Sequence, residues 1–296
     1  TETIEPASQL LSRLLTERRH QWESAQLAKY KATGKQPPKN WKAKYKEPTP
    51  PDATTLPPLP ETWCWASIGQ IVECLDHMRV PVNKKERAGR NGEVPYYGAN
   101  GLVGYIDDFL FNEPLVLVVE DETFVGREKP FSYRIDGKAW VNNHAHILRP
   151  THAVDVDFLN YALMYYPFVP LTTGTTARRK LTKVRLLEAP IALAPVAEQA
   201  EIVALVSEKL SQIEAAEKAI NRSLRRATRL RQSILKQAFE GKLVPQDPTD
   251  EPARTLLKHN LTSKADSNVQ DAGDSHVKAS GIDANTQQKK ATKVKK

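Results

Sequence analysis

The densest group of residues able to hold a phosphate is Thr172-Thr173-Gly174-Thr175-Thr176-Ala177-Arg178-Arg179-Lys180, continuing to Lys183 and Arg185. Five cations fall within eight residues there, directly after a run of hydroxyls. Hydroxyls and guanidiniums bind phosphate oxygens, and arginine can also fork onto a guanine edge. Two readings stay open: a nucleic-acid clamp built on Thr175, Arg178, Arg179, Lys180 and Lys183, or a plain solvated basic loop. A second candidate is the glycine-framed turn Tyr97-Gly98-Ala99-Asn100-Gly101. It would present Tyr97 and Asn100, and asparagine suits a bidentate contact with adenine. Arg127, Lys129, Asn142 and Asn143 are expected to flank that turn, which taken alone is an ordinary hairpin turn.

Catalytic constellations are harder to assemble. The chain contains no G-x-x-x-x-G-K-[ST] phosphate loop, which excludes a motor ATPase. Gly98, Gly101 and Gly104 are spaced G-x-x-G-x-x-G but do not open a helical pattern, so a dinucleotide site is not expected. Glu120-Asp121-Glu122 with Glu128-Lys129 offers carboxylates for a magnesium-dependent nuclease, yet lacks a properly spaced Glu-x-Lys. His144 and His146 alternate along an expected strand without a nearby carboxylate or cysteine partner, which favours a structural role over a metal site. Cys64 and Cys74 have no neighbouring His pair, so reduced core thiols are expected rather than zinc ligands or a disulfide.

The elements that must position these residues follow from composition and pattern. The chain has 296 residues, 40% of them hydrophobic, enough for one sizeable core. It has no apolar run of about 18 residues and no N-terminal charged-then-apolar signal, so a cytoplasmic protein without membrane contact is expected. It starts at Thr1 rather than Met, as a fragment, a processed chain or a numbering choice would. The net charge is +8, but residues 63–195 balance at fifteen basic against fifteen acidic. The excess sits at the ends, with ten basic against five acidic in 1–50 and seven against four in 263–296. In the centre only a local cluster can argue for nucleic acid.

Residues 1–31 read as a helix with an apolar face of Leu10, Leu11, Leu14, Leu15 and Trp22. A proline- and lysine-rich linker follows over 32–60 and is expected to be a semi-extended tether. Residues 61–195 form the globular part. It opens with an entry strand followed by a short helix or turn over Trp63–Val72, and a polar exposed loop over 79–95. Strands are expected at Val94–Tyr97, Val103–Ile106, Leu115–Val119, Phe124–Val125, Ser132–Ile135, Ala139–Val141 and His144–Leu148. Val156–Tyr166 reads as a helix, Thr172–Val184 as a loop and Leu186–Leu193 as a last strand. From 196 to 241 runs one long helix without proline or glycine before its end, roughly 65 Å at 1.5 Å per residue. Its apolar seam of Val203, Val206, Leu210, Ile213, Ile220, Leu224, Ala227 and Ile234 repeats every 3.5 residues and asks for a partner helix. Polar Glu217 and Arg231 at seam positions suit register or docking. Gly241 then caps the helix, 242–261 is a short C-terminal segment in which Glu251–Leu257 opens a short helix, and 262–296 is a polar, lysine-ended tail expected to be disordered. The fold class is thus α+β: a compact mixed-sheet domain, then a coiled-coil helix. Glu5-Pro6-Ala7-x-x-Leu10-Leu11 recurs as Glu251-Pro252-Ala253-x-x-Leu256-Leu257, so both borders read as equivalent points of a repeat.

Several stretches carry a family resemblance. Leu59-Pro60-Glu61-Thr62-Trp63 looks like a Leu-Pro-x-x-Trp domain start, and Tyr97-Gly98-Ala99-Asn100-Gly101 through Gly104-Tyr105 like a Y-G-x-N-G-x-x-G core. Trp140-Val141-Asn142-Asn143-His144-Ala145 resembles the strand that follows that core. Gly174-Thr175 with Arg178–Lys180 and Leu181-Thr182 resembles the loop before the last strand. Pro195-Val196-Ala197-Glu198-Gln199-x-x-Ile202-Val203 and Gly241-Lys242-Leu243-Val244-Pro245-Gln246-Asp247 match the entry and exit of a conserved long helix. Together they resemble the specificity subunit of type I restriction–modification systems, in particular its C-terminal half, over about residues 1–258. The whole family arrangement alternates two recognition domains with two such helices, whereas here there is one of each, with residues 5–31 similar to the end of a preceding helix.

The resemblance implies a DNA-reading subunit without catalysis of its own. It implies one target recognition domain for half of a split double-stranded site and a helix that spaces and docks methyltransferase subunits, with a restriction subunit joining for cleavage. S-adenosylmethionine, ATP and magnesium would belong to those partners, and no cofactor to this chain. The lone seam implies pairing with a second copy or another half-subunit. A stand-alone DNA-binding regulator and a magnesium-dependent nuclease are the competing readings.

Overall fold

Leu115–Val119 is apolar at every position, and such a run suits a strand covered on both faces. The computed structural model describes residues 4–175 and 178–262 and uses this run as an inner strand, buried at all five positions. The chain opens with α1 (Ala7–Ala32), then β1 (Cys64–Ser67), α2 (Ile68–Ile71), β2 (Val72–Cys74) and α3 (Lys84–Ala88). The strands β3 (Val94–Gly98), β4 (Gly101–Ile106), β5 (Phe111–Asn112), β6 (Leu115–Val119) and β7 (Asp121–Glu122) follow. Next come β8 (Ser132–Ile135), β9 (Lys138–Val141), β10 (Ala145–Pro150) and α4 (Val156–Met164). The last are β11 (Thr173–Thr175), β12 (Arg178–Lys180), α5 (Lys183–Glu188), β13 (Pro190–Leu193) and α6 (Val196–Phe239). A further helical stretch covers 253–262.

The α+β class holds, with the sheet divided into four: β2-β10-β6-β8, β4-β3-β9-β5, β11-β12-β7 and the pair β1-β13. Among the described residues, all pairings are antiparallel except β3 with β9. Alternation along β6 sends Val116 and Val118 into one core with α1 and α4 residues, and Leu115 and Leu117 into a second with Phe111, Val141 and Ile147. The N-terminal helix is part of the first core, since Ala7, Leu10 and Leu14 are buried there. Its Arg18 donates to the carbonyls of Gly69 and Val72.

Two quoted motifs meet where α6 leaves the domain. Glu198 accepts hydrogen bonds from the Trp63 indole at 2.7 Å and the Thr62 hydroxyl at 3.1 Å. Gln199 is fully buried, accepts from the Asp155 amide at 2.9 Å and donates to the Ala194 carbonyl at 2.9 Å. Ile202 and Val203 then pack on the core. The boundary between two separately packed units falls after Ala216, inside α6. At the far end Gly241 takes φ +69°, and the Lys242 amide returns to the Gln237 carbonyl at 2.8 Å, a left-handed C-cap. The expectation of a disordered tail concerns residues outside the described ones, apart from Thr262.

Four sequence expectations are corrected. The 32–60 linker is no solvated tether: Trp41 is buried and stacks on Trp22 at 5.9 Å, and Thr49 and Pro57 carbonyls accept from Ser67 and Trp65. Phe124–Val125 forms no strand, because Phe124 turns into the core onto Phe131 while the ladder sits at β7. Residues 172–184 are not a loop, since β11 and β12 make a hairpin paired to β7. The expected strand 186–193 begins instead with α5, capped by the Thr182 hydroxyl and buried through Leu186, and only β13 is extended.

Candidate nucleic-acid interface

The polar turn is built by close backbone approach. A Cβ at Gly98 would lie 2.8 Å from Val103 Cγ2 and 3.0 Å from Asn142 Nδ2, so glycine lets β3 press against its neighbours. Gly101, at φ +103°, completes the reversal around exposed Asn100. Tyr97 is half-buried, its ring 6.0 Å from that of Tyr133, whose hydroxyl donates to the Gly98 carbonyl. Burial raises the Tyr97 pKa, so the phenol stays a neutral donor. The backbone of Asn142 donates to the Tyr97 carbonyl at 3.0 Å, and its side-chain oxygen accepts from the His144 amide at 2.9 Å. Asn143 stands exposed next to it.

Arg127 joins this group, donating to Asn100 Oδ1 at 2.8 Å and to the Pro130 carbonyl at 2.8 Å. Arg127 thus orients the Asn100 amide, whose oxygen can accept a second hydrogen bond. Lys129 is exposed on the same turn. The stretch 79–95, expected to be a loop, contains α3, whose Lys84 and Arg87 line a recess together with Tyr96, Asn142, Asn143 and His144. Arg87 lies over the Tyr96 ring at 4.6 Å, and Arg90 over Trp140 at 4.5 Å. The available signal was the run of five cations, Arg79, Lys84, Lys85, Arg87 and Arg90, within twelve residues.

The basic cluster rides on the β11–β12 hairpin. Thr175 is exposed, and Lys183 stands exposed at the start of α5. Arg179 is half-buried, with Nε 2.6 Å from the Thr172 hydroxyl and an Nη 2.9 Å from the Thr172 carbonyl, so its guanidinium is held in place. Lys180 reaches back to Glu120 at 3.1 Å, which makes it an anchor more than a free phosphate ligand. Thr176 and the Arg178 side chain lie outside the described residues.

A charged network ties the hairpin to the sheet. Arg79 donates to the Glu120 carboxylate and to the Ala145 carbonyl, the latter at 2.9 Å. Burial works against the Glu120 charge, but the bond from Arg79, the nearby His146 and Lys180 hold its pKa below the usual value. His144 contacts Asp121 at 2.7 Å, and Asp121 faces Lys180 across the β7–β12 ladder. That contact links the Asn142–Asn143 turn to the basic hairpin. The two carboxylates Glu120 and Asp121 are thus committed to cationic or imidazole partners, which leaves little for a nuclease metal; the Glu122 side chain lies outside the described residues.

Both histidines have the carboxylate partners that sequence distance hid. His146 is buried, with Nδ1 2.6 Å from Asp76 and Nε2 2.9 Å from the Leu181 carbonyl. Cys74 completes a trio of possible metal donors. Arg79, 3.5 Å from the Asp76 carboxylate, opposes a cation there. Burial, seconded by the Asp76 charge, pushes the Cys74 thiol up to about 11, and both cysteines are free. For Asp76 itself burial opposes ionisation, yet His146, the Ile147 amide and Arg79 outweigh it and lower the pKa to about 2.

One histidine–carboxylate contact thus joins the polar hairpin turn to the basic hairpin. The model of the type I restriction modification DNA specificity domain matches residues 60–226, more than half of the chain. The chain belongs to this family. Its members are DNA-recognition subunits, not catalytic ones. A putative type I restriction enzyme specificity subunit, S.HindORF215P of Haemophilus influenzae, is 31% identical over 142 residues, 48% of this chain and 36% of the relative. The EcoDI specificity subunit of Escherichia coli is 25% identical over 218 residues, 67% of this chain and 46% of the relative. This specificity domain chain thus spans less than half the length of those relatives. In fold it is similar to a chain in a structure of a type I restriction–modification system concerned with complex assembly and conformational transition. The TM-score is 0.52 at 20% identity, over 80% of this chain and 57% of the other. No helix among the described residues is long and apolar enough to cross a membrane.

Proposed function

We propose that the chain reads one half of a bipartite double-stranded DNA site for a type I restriction–modification complex. The turn of Tyr97, Asn100, Asn142 and Asn143 would address base edges, and the hairpin carrying Thr175, Arg178, Arg179 and Lys183 would hold the phosphates, with Arg127 and Lys129 beside the turn. The observation that carries this reading is the His144–Asp121 contact, which sets the two groups side by side in a family of DNA specificity domains. The long helix would set the distance to the second half-site and dock methyltransferase subunits, with a restriction subunit joining for cleavage. S-adenosylmethionine, ATP and magnesium would be held by those partners, and the chain itself would need no cofactor. In the single chain Ile213, Ile220 and Leu224 are more than half exposed, which supports pairing of the seam with another half-subunit or a second copy.

The test is the salt dependence of duplex binding. Replacing Lys129, Arg178 and Lys183 together with alanine is expected to weaken binding and flatten the plot of log affinity against log salt by roughly 0.9 per lost phosphate contact. An unchanged slope would remove the assignment. Copurification without any methyltransferase, with tight binding retained, would favour a stand-alone regulator.

A further inference from the structure

The Asn142 amide is held with one end turned outward. Its Oδ1 accepts from the His144 backbone N–H at 2.9 Å, closing a local turn that fixes the side chain. The Nδ2 end is thereby directed to the gap above Gly98, 3.0 Å from the point that a Cβ there would occupy, and Val103 Cγ2 lies 2.8 Å from the same point. Gly98 has no side chain to fill that point, so a methyl group and an N–H donor stand beside each other over its bare Cα. Among the described residues no acceptor takes the Nδ2 protons. Asn142 is half-buried, and Val103 is more than half exposed on β4, which lies at the edge of its sheet. The hairpin β3–β4 is a two-stranded ribbon, and the major groove of a DNA duplex admits such a ribbon.

An exposed methyl beside an unmet donor is the complement of one base edge. In the major groove thymine shows the O4 acceptor and, next to it, the C5-methyl group. Cytosine shows an N4–H₂ donor, which would oppose the Nδ2 protons, and the purines accept at N7 but bring no methyl for Val103 to cover. We propose that Asn142 and Val103 together read a thymine, Nδ2 donating to O4 and Val103 covering the 5-methyl, and that the pair determines one position of the half-site. This rests on the DNA-reading assignment above. Lys84 and Arg87 line the recess that Asn142 also lines, so cations stand where the phosphates flanking that base would pass. The His144–Asp121 contact at 2.7 Å holds the same turn against the sheet.

The full chain, with any subunits that copurify, is used to select duplexes from a random-sequence DNA library. Each thymine of a selected duplex is then replaced singly by deoxyuridine, which pairs in the same way but lacks the 5-methyl. At one thymine the wild type should lose about fourfold in affinity, the worth of one buried methyl group. Val103→Ala should lose nothing further at that position. Asn142→Asp keeps an oxygen for the His144 amide and turns the outward donor into an acceptor. Its own selection should carry cytosine in place of that thymine, preferred by roughly tenfold. A wild type indifferent to uracil at every position overturns the proposal, and this series decides the matter even if a variant does not fold. Equal sensitivity of Val103→Ala to the same uracil also overturns it, as does an Asn142→Asp selection that still fixes thymine there. A wild type that enriches no sequence would instead remove the DNA-reading assignment, and this one with it.

Discussion

At the scale of single residues, the chemistry of this chain is set by which charges are already spent. Lys180 pairs with Glu120, whereas Arg179 is oriented by the neutral Thr172 and keeps its charge for a phosphate. Asp76 shows how much such anchoring is worth. Its pKa is lowered from 3.8 to about 2, so the stability it contributes is present above its unfolded pKa and is lost as pH falls toward about 2. Denaturant melts over that range should lose about 2 kcal/mol through this group. Asp76→Asn should cost roughly 3–5 kcal/mol near neutral pH by leaving partners buried and unpaired, and should remove that part of the acid dependence. A melt series in which the variant matches the wild type would contradict this account of the network.

At the scale of elements, what could be read from sequence was what local pattern dictates. Leu115–Val119 and Ser132–Ile135 are strands with the expected bounds, the first an unbroken apolar run and the second a short Ser-Tyr-Arg-Ile segment with an aromatic and a β-branched residue. Leu186 and Leu187 belong to a largely apolar stretch, broken by Glu188, that leads to β13, and that composition hid the helix which Thr182 caps. Trp41 gave no local sign that it packs on Trp22, nineteen residues earlier. The candidate turn was legible through its glycines, but the Asp76–His146 and Arg79–Glu120 contacts were not, since they join residues 70 and 41 positions apart. Two substitutions test how elements are held. Gly92→Ala would place a Cβ 2.2 Å from the Ile106 carbonyl oxygen, so urea melts should show a loss of about 2 kcal/mol or more. Trp63→Phe keeps a ring but drops the bond to Glu198, with an expected loss of roughly 1–3 kcal/mol. Wild-type stability in either variant would refute the corresponding contact.

At the scale of the whole molecule, α6 carries the question of partners. Its first turns are bound to the domain through Glu198 and Gln199, while seam residues further along, Ile213 to Ile234, are exposed in the single chain. If that seam is a pairing surface, sedimentation at micromolar concentration should show an assembly larger than one chain. Ile220→Asp with Leu224→Asp should then return it to a monomer without unfolding the domain. A stable monomer at that concentration would count against pairing through the seam. Reading of DNA remains the central claim, and mapping methylated adenines across the genome, with and without this gene, tests it most directly. The account predicts that one set of adenines, all within a common split, asymmetric site, loses methylation when the gene is removed. Identical maps in the two strains would contradict it.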